Sequence, residues 1–121
     1  MTKVATWNVE WAEPGSQCGG QVHERLTRLG CDVVVVTEGS AGVLPEGGHV
    51  VDAGADWGYG FEPHRRKVLA WSRRPWSDVT QIDSGAGLGR VVSATTDTPL
   101  GPLLVIAVCI PWRDSRAHGT A

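Results

Sequence analysis

The chain has 121 residues, of which 41% are hydrophobic, with 11 basic and 13 acidic side chains. A chain of this length forms one domain, and its net charge of -2 excludes binding to DNA through bulk positive charge. The longest apolar run, residues 103–110, is far shorter than the roughly 18 residues that a membrane span needs, so no span is expected. The start of the chain lacks the apolar stretch of a signal peptide, and a cytoplasmic location is therefore expected.

The three cysteines are Cys18, Cys31 and Cys109. They are odd in number, lie far apart and form no C-x-x-C pair. This spacing disfavours a disulfide framework and a zinc site, so ordinary thiols are expected.

The first third of the chain has the pattern of a strand, a helix and a buried strand. Residues 4–9 are rich in β-branched and aromatic side chains and precede a Pro-Gly break. Residues 21–29 repeat apolar side chains at helical spacing and stop at a glycine, which predicts a short amphipathic helix. The apolar run at residues 33–36 suits a strand that is covered on both faces. This order is typical of the opening of an α/β domain.

The rest of the chain is predicted to be mostly β. The expected strands are residues 49–52, 67–72, 79–83, 90–97 and 103–110. The last two form an antiparallel hairpin around a turn at residues 98–101. The predicted fold is therefore α/β, a mostly antiparallel sheet with a flanking helix. It occupies a domain of residues 1–111, and residues 112–121 form a polar tail.

Two oxygen-bearing side chains fall at predicted strand ends. Asn8 ends the first strand, and Glu38 follows the apolar run of the second. If a right-handed crossover joins these strands as parallel neighbours, both side chains emerge at the same edge of the sheet. A carboxylate and an amide oxygen suit Mg²⁺. The competing interpretation makes Asn8 a partner of loop backbone and Glu38 a solvated charge, and spacing alone favours that interpretation.

Basic residues supply further candidates. Residues 65–74 contain five basic side chains, among them Arg73, and predict either a polyanion-binding edge or a solvated turn. Arg90 could bind a substrate phosphate, but its long apolar stem at the start of the hairpin favours a structural role.

The tryptophans divide by their positions in the predicted strands. Trp7 and Trp71 lie inside apolar strands and are expected in the core. Trp112 follows the last strand and is the best candidate for stacking on a base.

Five segments carry motifs in a fixed order. They are KVATWNV at residues 3–9, DVVVVTE at 32–38, VLAWSRRP at 68–75, GRVV at 89–92 and LLVIAVCIP at 103–111. In sequence and order they resemble motifs of the endonuclease/exonuclease/phosphatase superfamily. These metal-dependent phosphodiesterases include DNase I, abasic-site endonucleases, inositol polyphosphate phosphatases and bacterial sphingomyelinases.

The resemblance implies half of a four-layer DNase I-like α/β sandwich and a phosphoesterase that depends on Mg²⁺ or Mn²⁺. Its substrate would be a phosphodiester or phosphomonoester, with nucleic acid as one class. Glu38 would ligate the metal, with Asn8 beside it, as the catalytic pair. Arg73, Arg90 and Trp112 would contact the substrate.

The chain also departs from the family pattern. Thr37 stands where the family usually has Gln, and Cys109 stands where many members have His or Tyr. The later motifs, G-D-x-N and S-D-H, which supply acid and base groups, are missing, so the chain resembles the N-terminal half of the family domain. General acid–base catalysis contributes about 10²–10⁴ in rate, so weak activity or none is expected from these residues alone.

Other functions stay open at this stage. The chain could be a non-catalytic module that binds phosphate or nucleic acid, or a fragment that needs a partner chain to complete its fold. Half of a sandwich leaves one sheet face without cover. Val92, Val105 and Ala107, or the residues that alternate with them along the strands, would line this face. This predicts marginal stability, self-association or a covering partner. A small flavodoxin-like nucleotide binder is disfavoured, because the second half lacks the alternating helices of a parallel sheet.

Overall fold

The computed structural model describes residues 1–58 and 62–111, which form two β-sheets and one α-helix. In chain order the elements are β1 (Val4–Asn8), α1 (Gln17–Leu29), β2 (Val33–Gly39), β3 (His49–Asp52), β4 (Arg66–Ser72), β5 (Trp76–Gln81), β6 (Val91–Thr98) and β7 (Gly101–Val108). This arrangement confirms the predicted α/β class with mostly antiparallel sheets and a flanking helix. The predicted tail and Trp112 lie outside the described residues. In the described part of the chain, no helix is long and apolar enough to span a membrane.

Helix α1 and strand β5 begin several residues before their predicted starts, whereas β4, β6 and β7 begin within one or two residues of theirs. Helix α1 starts at Gln17 because Ser16 caps it, its hydroxyl accepting a hydrogen bond of 3.0 Å from the Gly19 N–H. Strand β5 starts at Trp76, three residues before the predicted start at residue 79, and contains a break in its register with β6. Asp78 has a φ of 53° at that break, so the regular alternation of side chains is lost there.

The first sheet has the strand order β1-β2-β4-β3. Strand β1 runs parallel to β2, and α1 connects them, as expected for a crossover unit. The register pairs Val4 with Val33 and Asn8 with Thr37, so the carboxyl ends of both strands lie at one edge. Strand β4 is antiparallel to both of its neighbours and therefore begins at that same edge.

Helix α1 covers one face of the first sheet. Val22 and Leu26 are buried in a cluster with Val34 and Val36 of β2, and Leu26 is fully inaccessible to solvent. The helix ends at Gly30, whose φ of 62° is left-handed, a conformation that glycine adopts without steric cost.

The second sheet has the order β5-β6-β7 and packs on the other face of the first. Val68 and Ala70 of β4 meet Val92 of β6 and Ala107 of β7 in a second buried cluster. The hydroxyls of Ser72 and Thr96, both buried, lie 2.5 Å apart and join the sheets through a hydrogen bond. The described residues therefore form a two-sheet sandwich with one α-helix on its outer side.

Apolar side chains are exposed on the outer sides of both sheets. Trp71 is buried as predicted, but Trp7 is 38% exposed because β1 is an edge strand. The prediction of a core position for Trp7 is therefore wrong. On β7, Ala107 is buried, whereas Leu104 and Ile106 on the opposite face of the strand are more than 60% exposed.

The hydroxyl pair between the sheets gives a test of the fold. We expect Thr96→Val to lower the free energy of unfolding by about 1–3 kcal/mol, because it removes a buried hydrogen-bonding hydroxyl beside Ser72. The matched variant Thr95→Val, on the more accessible neighbouring residue of β6, should change it little. Urea unfolding of both variants makes the measurement, and equal effects would contradict the inter-sheet role of Thr96.

Candidate functional site

The carboxyl ends of β1 and β2 stay together after the strands end. The Val9 N–H donates to the Thr37 carbonyl at 3.1 Å, and the Trp11 N–H donates to the Glu38 carbonyl at 2.6 Å. Asn8 and Glu38 therefore lie at the same edge on neighbouring chain segments, as the crossover argument predicts.

The Asn8 side chain shapes the loop that follows β1. Its Oδ1 accepts a hydrogen bond of 2.9 Å from the Glu10 N–H, the pattern of an Asx turn. Glu10 and Trp11 have φ values of 50° and 63°, so the chain turns sharply here through two left-handed residues. Asn8 thus has the backbone partner that the competing interpretation assigns to it, and through this turn it also fixes the position of Trp11.

Glu38 is held in an ion pair instead of being a solvated charge. Its Oε2 lies 2.7 Å from Nζ of Lys67, and the Glu38 and Lys67 side chains are 23% and 12% exposed, respectively. The pairing of Thr37 with Val68 and of Gly39 with Arg66 places Glu38 opposite Lys67. Sequence reasoning treated Lys67 only as one of five basic residues, because its partner depends on the β2–β4 register.

Two tryptophans form an aromatic wall beside this ion pair. Trp11 stacks on Trp57 with a centroid distance of 5.4 Å and an angle of 24°. Lys67 Nζ lies 5.5 Å from the Trp11 ring centroid, and the Arg65 guanidinium carbon lies 5.1 Å from it. Both distances are within the range of a cation–π interaction, so the ring helps to hold the two cations. From the sequence, all six tryptophans could stack on bases, and Trp112 is the best candidate. The Trp11–Trp57 pair could not be singled out, because Trp57 approaches Trp11 only in the folded chain.

A second acidic residue at this edge is committed to other partners. Glu13 accepts hydrogen bonds from Arg65 at 2.7 Å and pairs with His64 at 2.9 Å. The hydrogen bonds from Arg65 and His64 hold the pKa of the Glu13 carboxyl below its usual value. Glu13 therefore positions Arg65 next to Trp11.

Arg90 is buried below the edge, with 2% of its surface exposed. It donates to the carbonyls of Cys109 and Trp57, each at 3.3 Å. These contacts give Arg90 the structural role that its long stem favours. Burial raises the pKa of the Cys109 thiol, and the nearby Glu38 carboxylate adds to the rise, whereas Lys67 and Arg90 oppose it.

Arg73 lies at the other end of the sheet. Because β4 is antiparallel to β2, its carboxyl end meets the amino end of β2, where the Arg73 guanidinium donates to the Cys31 carbonyl at 2.9 Å. Arg73 Nε also lies 3.8 Å from an Asp32 oxygen. Arg73, a predicted substrate contact, thus lies at the end of the sheet opposite the Asn8–Glu38 edge. Strand β4 separates it and Arg74 from the other three residues of the basic run.

The chemistry of this edge matches the needs of a divalent cation in part. Mg²⁺ uses one or two carboxylates and completes its shell with waters and substrate oxygens, and Glu38 supplies one carboxylate. The Asn8 Oδ1 already accepts a hydrogen bond. Within residues 1–58 and 62–111 there is no group of three or more His, Cys, Asp or Glu side chains that could hold a metal ion. Glu38 is therefore the one predicted ligand whose charge suits a metal, and Lys67 lies against it.

Comparison with known proteins gives matches among solved structures. No family model and no curated protein sequence matches the chain. An endonuclease/exonuclease/phosphatase from Beutenbergia cavernae aligns over 88% of this chain, with a TM-score of 0.60 and 21% identity. An AP endonuclease from Archaeoglobus fulgidus aligns over 79%, with a TM-score of 0.55 and 24% identity.

Each alignment covers only 37% of the neighbour's own chain. The described sandwich thus corresponds to part of a larger fold, which agrees with the partial resemblance found in the sequence motifs. The chain has the fold of endonuclease/exonuclease/phosphatase structures over 37% of their length.

Proposed function

We propose that this chain carries part of the active site of a divalent-metal-dependent phosphoesterase. The observation that supports the proposal is the position of Glu38 beside Asn8 at the carboxyl edge of two parallel strands. The fold around this edge is that of two structures named as an endonuclease/exonuclease/phosphatase and an AP endonuclease. The proposed substrate is a phosphodiester or phosphomonoester, with nucleic acid as one class.

Each residue at the edge has a proposed role. Glu38 would hold Mg²⁺ or Mn²⁺, and the bound cation would supply positive charge for a phosphate oxygen. Asn8 positions the loop that carries Trp11 against the end of β2. Lys67 and the buried Arg90 add positive charge near the place where phosphate would bind. Together these groups favour phosphate binding over proton transfer.

Acid–base chemistry is the weak part of this site. His23 contacts the Leu44 carbonyl at 3.0 Å, and His64 pairs with Glu13. His49 begins β3 opposite Ser72, at the edge far from Glu38. Because these histidines are engaged or positioned elsewhere, we expect the chain to bind phosphate esters but to turn them over slowly.

The role of Glu38 is testable by metal titration. We expect Glu38→Gln to weaken Mn²⁺ binding by more than about tenfold, which is about 1.4 kcal/mol, because it removes the carboxylate charge. Glu46→Gln removes the same charge from an exposed residue outside the site and should leave the affinity unchanged. Isothermal titration calorimetry makes the comparison, and equal affinities for wild type and Glu38→Gln would exclude Glu38 as a ligand. Phosphate binding that persists equally without Mn²⁺ would favour a non-catalytic phosphate-binding module.

A second candidate function is a fold fragment that a second copy of the chain completes. Strand β7 is one of the two edge strands of its sheet, and its outer row of Leu104, Ile106 and Val108 is exposed. An edge strand offers unpaired backbone groups, and an apolar outer row adds surface that gains free energy when it is buried. We infer that two copies associate along β7.

Self-association through β7 predicts a clear change in sedimentation. The double variant Leu104→Thr/Ile106→Thr should shift the chain toward monomer, because each buried Leu or Ile contributes about 1.5–3 kcal/mol. The control Val50→Thr/Val79→Thr changes two exposed valines elsewhere and should sediment like wild type. Analytical ultracentrifugation over a range of concentrations makes the test. A wild-type chain that is monomeric throughout would contradict the inference.

A further inference from the structure

We propose that Lys67 is the resident cation of the Glu38 site and that a divalent metal ion must displace its ammonium group to bind Glu38. This inference rests on the function proposed above, in which Glu38 is the metal ligand. It adds a specific residue that sets how strongly the site binds a metal ion. Three observations support it: the ion pair itself, the ring that holds the ammonium, and the balance of charge around Glu38.

The ion pair places a positive charge directly on the carboxylate. Lys67 Nζ is 2.7 Å from Glu38 Oε2, so the ammonium occupies space on that oxygen that a metal ion would need. The lysine side chain is only 12% exposed, and water therefore screens this pair less than it screens a surface pair. Lys67 comes from β4, whose register places it opposite Glu38, so the folded sheet brings the two charges together.

The aromatic wall of Trp11 and Trp57 gives Lys67 a second attachment. The Trp11 ring centroid is 5.5 Å from Lys67 Nζ, and Trp11 is itself fixed by its stack on the buried Trp57. A cation–π contact in a partly buried position favours the ammonium at this place. A metal ion that displaces Lys67 from Glu38 must therefore overcome the carboxylate contact and disturb the ring contact as well.

The charges around the site favour a single positive charge over a divalent ion. The Glu38 carboxylate faces the ammonium of Lys67. The buried guanidinium of Arg90 is close enough that it affects the pKa of the Cys109 thiol together with Glu38 and Lys67. Glu13, whose partner Arg65 lies against the Trp11 ring, is paired with Arg65 and His64. With Lys67 in place, its ammonium already balances the charge of Glu38.

The experiment compares Mn²⁺ affinity in wild type and Lys67→Met by calorimetry and by water-proton relaxation. Removal of the competing ammonium should tighten Mn²⁺ binding about 10- to 100-fold, the contribution of one charge-assisted hydrogen bond. Lys67→Arg keeps a cation at this position and should bind Mn²⁺ about as weakly as wild type. Arg74→Met makes the same change of net charge at an exposed residue beyond the far end of β4, and it should have no effect.

Three further results separate the two proposals. The double variant Glu38→Gln/Lys67→Met should lose the added affinity, which would show that the gain depends on Glu38. If Lys67→Met binds Mn²⁺ no better than wild type while Glu38→Gln abolishes binding, Glu38 is a ligand and the role of Lys67 is wrong. If Glu38→Gln and wild type bind Mn²⁺ equally, Glu38 is not a ligand and both proposals are wrong. Urea unfolding of each variant shows that the chain under titration is folded.

Discussion

The pairing of β2 with its two neighbours is the constraint on which the rest of this structure depends. Strand β2 is parallel to β1 on one side and antiparallel to β4 on the other. The parallel pair requires the α1 crossover and brings Asn8 to the edge where Glu38 lies. The antiparallel pair brings the amino end of β4, and with it Lys67, to the same edge. One strand thus brings Asn8, Glu38 and Lys67 to the same edge of the sheet.

The sequence predicts the local elements and the β1–β2 edge well, because both depend on short-range patterns. The β-branched run of β2 and the helical spacing of α1 are local signals, and the crossover rule needs only their order. The Glu38–Lys67 contact depends on a register between strands that lie far apart in sequence. The position of Arg73 depends on the same register, so a basic run that is compact in sequence is divided between two ends of the sheet. Trp7 was misjudged because an apolar pattern does not reveal that its strand lies at an edge.

The exposed surface is explained by the same strand orders. Strands β1 and β7 are edges, and α1 packs mainly over β2, so it leaves an open groove of about 610 Å³ along β1. Residues on both faces of β1, such as Val4 and Trp7, are therefore accessible, although their sequence pattern suits a covered strand.

Backbone strain in this structure is concentrated where the proposed chemistry lies. Of the four described non-glycine residues with positive φ, Glu10, Trp11 and Glu38 belong to the Asn8–Glu38 edge, and Asp78 lies at the break in β5. Such conformations cost about 1–3 kcal/mol each and persist only where other contacts fix them. Here the Asn8 side chain bonds the Glu10 N–H, and the Trp11 N–H bonds the Glu38 carbonyl. These bonds hold Trp11 over Lys67 while Lys67 pairs with Glu38, so the strained turn, the ring and the ion pair form one interdependent unit. A change at any of the three should therefore alter how firmly the ammonium is held on Glu38.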